Sequence, residues 1–264
     1  MRRRKEPLLL LLTLLAGAAM IQVLSMRSPG QNSSNSISRG EAVDHIPLVD
    51  FGASESTDKT VVEEQTRANR HAVGSHYDKR YLLKRDVDTG GRPVLTNSFW
   101  NETLPALPVV RSGLVVLGEV VGADAHLSND RTGVYSQFTV RVEEVFKDSS
   151  SIVFPGGLIT MERSGGRVRF PSGRITRYGV AGQDMPRLQQ HYVFFLEPND
   201  QQYSIVTAYQ VVSGQVHPLD GQNAPGPPER VRPWAGDSYN GANATHFLDE
   251  VRKAVAQSPQ ILNK

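Results

Sequence analysis

The sequence predicts a mainly β fold, an antiparallel barrel or sandwich of about six strands with a helix at its C-terminal end. Apolar or alternating segments recur from Leu114 to Val212, Gly-rich turns separate them, and no amphipathic helix intervenes. One apolar stripe at helical spacing, from Phe247 to Val255, follows near the end. An N-terminal membrane or signal helix precedes this domain.

The N-terminal segment, residues 1–27, has the pattern of an export signal or membrane anchor. Four basic residues at positions 2 to 5 precede a 17-residue apolar run, Leu8–Leu24. As a helix this run spans about 25 Å, close to the short limit for a ~30 Å hydrocarbon core. An uncleaved signal-anchor would use the full run, whereas a cleaved signal peptide would use Leu8–Leu15 and the small residues 16–18. The charge asymmetry predicts a cytoplasmic N-terminus. If the segment is an uncleaved single-pass anchor, the bulk of the chain lies outside the cell membrane. If the segment is cleaved, the chain is periplasmic or secreted.

Composition narrows the function classes. The 264 residues include 29 basic and 27 acidic side chains, and five of the basic ones lie in the leader. The exported part is therefore nearly neutral, and this charge predicts no nucleic-acid partner. The chain has no cysteine, which excludes disulfides, thiolate catalysis and cysteine-zinc sites. An exported domain of this kind depends on a hydrophobic core.

The region before the strands divides into two parts. Residues 28–56, rich in Ser, Asn and Gly, are expected to form a disordered linker that holds a domain away from the membrane. Residues 57–100 form a weakly helical or extended lead-in, in which Val73 and Tyr77 recur at helical spacing. His71 and His76 are five residues apart, which does not place two metal ligands on one helix face, so both are interpreted as solvated.

The first strands give the clearest patterns. Leu114–Val121 is continuously apolar and predicts a strand buried on both faces. Phe138, Val140 and Val142 alternate with polar residues, and the apolar parity changes at residues 145–146, which predicts a bulge. Glu143 and Glu144 are expected on opposite faces of this strand.

The later segments complete the β domain, predicted as residues 101–264. Residues 158–161 and 167–170 are expected to form a hairpin through the turn at 164–166. Residues 192–196 predict a central strand, and residues 203–212 predict the strand that returns after it. His191, at the start of one of them, is interpreted as a core residue. Residues 220–236, rich in Pro and Gly, are expected to form an extended surface loop. Residues 245–257 predict a helix, with Thr245 as the cap, that packs against the barrel or closes one end of it.

No pattern indicates catalysis, a cofactor or a metal. None of the seven histidines has metal-ligand spacing, and the nucleophile elbow, the phosphate-binding loop and the dinucleotide-binding glycine fingerprint are absent. We therefore expect no catalytic, cofactor-binding or metal-binding residues. A dispersed set of catalytic side chains that only the fold brings together stays an open alternative.

The sharpest local feature is a basic segment that lacks acidic residues. Its arginines are interleaved with Phe170 and Tyr178 and are candidates for binding phosphates, acidic glycans or anionic lipid headgroups. The alternative is an edge hairpin that its charge protects from pairing. The candidate anion-binding residues are Arg163, Arg167, Arg169, Arg174 and Arg177.

The segments GEVVGADAHLSND, YSQFTVRVEEVFK and HYVFFLEP, within residues 114–212, resemble exported bacterial proteins with a netrin/tissue-inhibitor-like module. The resemblance implies an OB-type barrel. Inhibitors of that family chelate metal through a mature N-terminal cysteine and are held by disulfides, whereas this chain has no cysteine. The resemblance therefore implies the fold and not metalloprotease inhibition.

Three functions follow as hypotheses. The first is a non-enzymatic binding or structural domain of the cell envelope, attached to the membrane by its N-terminal segment, with an envelope protein, a glycan or an anionic lipid as partner. The second is a hydrolase of cell-envelope material with a dispersed active site. The third is an anionic-surface binder that uses the basic segment between Arg163 and Arg177.

Overall fold

The structure, a computed structural model, describes residues 45–52, 61–79, 103–199, 202–221 and 234–258. All of them belong to one compact unit that spans residues 38–264. The described elements, in chain order, are β1 (Leu48–Asp50), α1 (Val61–Ser75), β2 (Leu114–Leu127), β3 (Val134–Asp148), β4 (Leu158–Ser164), β5 (Gly166–Arg169), β6 (Ile175–Tyr178), β7 (His191–Asn199), β8 (Gln202–Val212), β9 (Gln215–Pro218), a 3₁₀ helix (Ala235–Tyr239), β10 (Ala242–Asn243) and α2 (Ala244–Gln257).

The main sheet has seven strands in the order β10-β9-β8-β4-β3-β2-β7, and β7 also pairs with β8. Five strands, β2, β3, β4, β8 and β7, therefore form a partly closed ring. All pairings in this ring are antiparallel except β4–β8, which is parallel over two residue pairs. The predictions of a mainly β fold and a C-terminal helix are confirmed.

The core occupies the inside of this ring, with a second cluster on its outer surface. Leu114 and Val116 face the interior with Phe138 and Phe194, while Val115 belongs to the outer cluster. Burial of adjacent residues of β2 on both faces agrees with the continuous apolar run. In β3 the pairing register with β2 shifts so that Glu143 and Phe146 are left without a direct partner, as expected from the change of parity.

Helix α2 packs on the outer surface of the main sheet, where it contacts β3, β9, β10 and the Tyr209 ring of β8. Phe247 and Val251 are fully buried there, and Phe247 packs against Tyr209 with ring centroids 4.8 Å apart. The predicted cap at Thr245 is wrong by two residues, because Asn243 Oδ1 accepts the hydrogen bond from the His246 backbone N–H.

Two expectations for loops and linkers are corrected. Residues 45–52 belong to the folded unit: β1 pairs in parallel with β5, and Ile46 is buried in the main core. Toward the two ends of the expected surface loop 220–236, Asp220 and Trp234 are buried and not on the surface; residues 222–233 lie outside the described ranges.

The expected hairpin between residues 158–161 and 167–170 is wrong. β4 belongs to the main sheet, whereas β5 pairs with β1 and β6 in a separate three-stranded sheet. The chain changes sheets at Gly165. Two features require glycine there: its φ is 109°, and a Cβ would lie 2.6 Å from the Tyr178 carbonyl oxygen.

Within the ranges that the structure describes, no helix is long and apolar enough to cross a membrane. Three predicted segments lie outside those ranges: the apolar run Leu8–Leu24, linker residues 28–44 and 53–56, and lead-in residues 57–60 and 80–100. The anchor and the tether therefore stay predictions from the sequence.

Candidate functional site

A cavity of about 510 Å³ lies between α1 and the outer surface of β3 and β4. The segment that joins β3 to β4 and the start of β8 complete its walls. This volume is within the ~300–1,000 Å³ range of small-molecule sites. Its lining includes Asn69, Arg70, Gln137, Thr139, Ile152, Phe154, Leu158, Thr160, Gln202 and Tyr203.

The floor of the cavity is polar because side chains alternate along each strand. Phe138 and Ile159 point into the barrel, so their neighbours Gln137, Thr139 and Thr160 point outward toward α1. Gln137 also donates a side-chain hydrogen bond of 2.8 Å to Gln202 at the start of β8. Hydroxyl and amide groups therefore cover the floor.

One rim of the cavity is apolar and exposed. Ile152, Phe154 and Leu158 expose 75%, 65% and 63% of their surface. Exposed apolar side chains grouped beside a cavity are typical of a binding site, whereas single exposed ones are ordinary. The cavity thus combines a polar floor with an apolar edge.

The C-terminal end of α1 is attached to the β2–β3 turn. Asn129 donates a side-chain hydrogen bond to the His71 carbonyl, and the Lys79 backbone N–H donates to Asp130. Tyr77 stacks on Tyr135 with ring centroids 4.7 Å apart. These contacts hold α1 over the cavity.

The same attachment depends on an ionised carboxylate in the turn. Burial would raise the pKa of Asp130, but hydrogen bonds from Thr132, Lys79 and Ser128 outweigh that effect and hold it well below its usual range. Asp130 therefore stays charged at neutral pH and keeps accepting the bond from Lys79.

Arg70 is the charged residue in the cavity wall. Its backbone carbonyl accepts a hydrogen bond from the Tyr135 hydroxyl. Its Nε is buried, and among the described residues no hydrogen-bond partner contacts that atom. Because the lining contains no carboxylate, the described cavity presents a positive charge to any ligand.

A buried carboxyl group, Glu162, lies next to the cavity floor. Its Cα partner across the strands is Gln137, and its side chain accepts hydrogen bonds from Asn199 (2.6 Å) and Ser204 (3.2 Å). His76 Nδ1 is 4.0 Å from Glu162 Oε1. Burial raises the pKa of Glu162, although Asn199, Ser204 and His76 oppose this shift.

Glu162 is not arranged for catalysis on a ligand in the cavity. Its side chain is 1% exposed and does not line the cavity, so it does not reach a reacting group. Among the described residues, no group of three His, Asp or Glu side chains could hold a metal ion. The arrangement can bind and orient a ligand.

Arg163, the first of the predicted anion-binding residues, is buried and is not part of a surface. Its guanidinium contacts both carboxylate oxygens of Asp220, at 2.6 and 2.9 Å, and donates to the Asp184 carbonyl. Asp220 also accepts hydrogen bonds from Thr207 and from the Asp184 backbone N–H. Arg163 therefore has a structural role, and the prediction that it binds an external anion is corrected.

The four other predicted arginines lie on or beside the β5–β6 hairpin, and anion binding by them stays a prediction. Each already contacts the protein: Arg167 donates to the Ile46 carbonyl, Arg169 pairs with Asp50, Arg174 lies over the Phe170 ring, and Arg177 pairs with Asp184. Asp184 remains ionised, because hydrogen bonds from His45 and from the Met185 backbone outweigh its burial and lower its pKa.

The other polar residues that the sequence singled out do not line the cavity. His191 is not a core residue: its side chain is 41% exposed and lies 3.5 Å from Glu143. Glu144 pairs instead with Arg252 of α2. His71 and His76 are both exposed, and His76 reaches the buried Glu162.

Sequence reasoning missed the cavity, Arg70 and Glu162. One signal was present, because the carboxylate of Glu162 directly follows the mostly apolar start of β4, residues 158–161. Its burial depends on Asn199 and on the end of α1, which are distant in the chain. The chain matches no model of a known protein family, and it matches no curated protein.

Proposed function

We propose that the chain is a non-enzymatic binding module of the cell envelope, attached to the membrane through its N-terminal segment, with its ligand site in the cavity under α1. The observation that carries the proposal is the cavity itself, in which a polar floor, an exposed apolar rim and one cationic side chain converge. The leader supplies the location, and a tethered module meets envelope ligands there.

The strand connectivity supports an OB-type barrel as the finer description of the fold. In that architecture five strands form a partly open barrel, and the face of the second and third strands binds oligonucleotides or oligosaccharides. In the ring described above, the second and third strands in chain order are β3 and β4. These two strands form the floor of the cavity.

The two alternatives are less well supported. A hydrolase needs a nucleophile or an acid–base pair in contact with substrate, whereas Glu162 lies outside the cavity lining. An anionic-surface binder needs available arginines, whereas Arg163 is buried and Arg169 and Arg177 are paired with carboxylates. Unchanged binding to acidic liposomes after replacement of Arg167 and Arg169 with Gln would exclude that surface.

The proposal is tested by blocking the cavity. The full chain in lipid nanodiscs is screened against neutral and acidic oligosaccharides, peptidoglycan fragments and short peptides. Thr160→Trp fills the floor with an indole ring, while Ile175→Trp, at a 47% exposed position on β6, serves as the matched control. We expect a ligand that binds the wild type and the control but not Thr160→Trp. Binding that survives Thr160→Trp, or the absence of any binding, would contradict the proposal.

A further inference from the structure

We propose that the cavity under α1 takes a short saccharide that carries a carboxylate, and that Arg70 binds this carboxylate. The inference rests on the proposed function and names the ligand class of the same site. It depends on three features of the cavity: the one cation among its described lining residues, the chemistry of its floor and the aromatic residues in its walls.

The cation indicates an anionic group on the ligand. Arg70 lines the cavity, and within the described part of the chain no carboxylate forms an ion pair with it. Glu162 lies beside the floor, but it is 1% exposed and does not line the cavity, so it does not face a ligand there. A guanidinium presents a planar fork of donors that matches a carboxylate.

The floor indicates a ligand rich in hydroxyl groups. The side-chain amides of Asn69, Gln137 and Gln202 and the hydroxyls of Thr139 and Thr160 line the cavity. Gln137 donates to Gln202, and Asn69 accepts from Gln65. Because each amide carries two N–H donors and an oxygen with two lone pairs, these single bonds leave capacity for a ligand. A sugar hydroxyl also donates and accepts, so each group on the floor can pair with it in either direction. An acyl chain would leave their remaining donors and acceptors unsatisfied, at a cost in free energy.

The walls add apolar surface for the faces of sugar rings. Phe154 and Tyr203 line the cavity, and the Phe154 ring lies against Gly157, where a Cβ would be 3.3 Å from the ring. An aromatic ring provides a rigid apolar surface, and the C–H face of a pyranose packs on such a surface while its hydroxyl edge meets polar groups. Carboxylate, hydroxyl and C–H surface occur together in uronic acids and their oligomers.

The arginine can be changed without removing the contact that its backbone makes. The Tyr135 hydroxyl donates to the Arg70 carbonyl and not to its side chain, so Arg70→Gln leaves the attachment of α1 in place. Arg70→Lys keeps the charge and loses the fork. Arg187→Gln, an exposed position outside the cavity, is the matched control for loss of one positive charge.

The test is isothermal titration of the full chain in nanodiscs with digalacturonate, diglucuronate and dimannuronate. Each acid is paired with its dimethyl ester, which keeps the skeleton and removes the charge, and glucose 6-phosphate tests whether phosphate replaces the carboxylate. We expect at least one diuronate to bind more tightly than its ester. Arg70→Gln should weaken the binding of that acid by roughly 10- to 100-fold and leave the affinity for the ester unchanged. Arg70→Lys should recover part of the affinity, and Arg187→Gln should match the wild type.

Each contrary result has a distinct meaning. Equal binding of acid and ester, binding of the phosphate alone, or an acid affinity that Arg70→Gln does not change would overturn the inference. Ester binding that Thr160→Trp abolishes would leave the proposed function intact. If none of these saccharides binds, the inference is wrong, and the wider ligand screen with Thr160→Trp decides the proposed function separately.

Discussion

The buried pair of Arg163 and Asp220 gives the sharpest prediction about stability. The two side chains are 2% and 0% exposed, and two hydrogen bonds join them. Asp220→Ala removes the carboxylate and leaves a buried guanidinium without its counter-charge. The change also removes the acceptor for the Thr207 hydroxyl and for the Asp184 backbone N–H.

The size of the effect follows from these contacts. Removing one partner of a buried ion pair costs about 3–5 kcal/mol, because the remaining charge is uncompensated. The whole free energy of unfolding of a domain is ~5–15 kcal/mol, so the loss is a large fraction of it. At roughly 2–4 °C per kcal/mol for a domain of this size, the melting temperature falls by about 6–20 °C.

The assay is urea unfolding of the full chain, followed by the fluorescence of the buried Trp234 and supported by thermal unfolding. The double variant Arg163→Met/Asp220→Leu removes both charges and is expected to lie much closer to the wild type, since no buried charge remains. An Asp220→Ala variant within ~1 kcal/mol of the wild type, or a double variant less stable than the single one, would refute this reasoning.

Three further predictions concern α1, Glu162 and α2. Burial raises the pKa of Glu162 above its ordinary value of 4.5, so the folded state holds this proton more tightly than the unfolded state does. The contribution of Glu162 to the free energy of unfolding is therefore complete below pH 4.5 and declines as pH rises toward the raised pKa. Glu162→Gln should remove this decline, and an unchanged pH profile above 4.5 would contradict the prediction. Helix propensity alone favours Gly74→Ala by ~1 kcal/mol, yet the new Cβ would lie 2.5 Å from Asn129 Oδ1, which helps to attach α1 to the β2–β3 turn. We therefore expect faster amide exchange in residues 61–79 of this variant. Slower exchange would refute the role of Asn129 in attaching α1. Phe247→Ala empties a fully buried site and should lower the free energy of unfolding by about 3–5 kcal/mol in urea titrations; a loss below ~1 kcal/mol would show that α2 is not anchored there.

The strands and the last helix were predictable because their burial patterns are local. Alternation around Phe138 and the apolar run from Leu114 identify strands without knowledge of their partners. The bulge near Phe146 was visible as a change of parity. The stripe through Phe247 predicted a helix with one buried face, which the structure confirms.

The candidate site was not predictable, because contacts between distant segments create it. Arg163 has the parity of Ile159 and Met161, which indicates the interior, but its partner Asp220 is 57 residues away. The same holds for β1, which lies in a segment with the composition of a linker and is ordered by pairing with β5.

Hydrogen exchange of the full chain in nanodiscs, with and without a diuronate that titration shows to bind, tests the central claim most directly. If the ligand occupies the cavity under α1, protection rises in peptides covering residues 61–79 and 152–160 and stays unchanged in residues 166–178. Protection confined to residues 166–178 would place binding on the arginine hairpin, and protection absent from both α1 and β4 would contradict the assignment of the cavity as the ligand site.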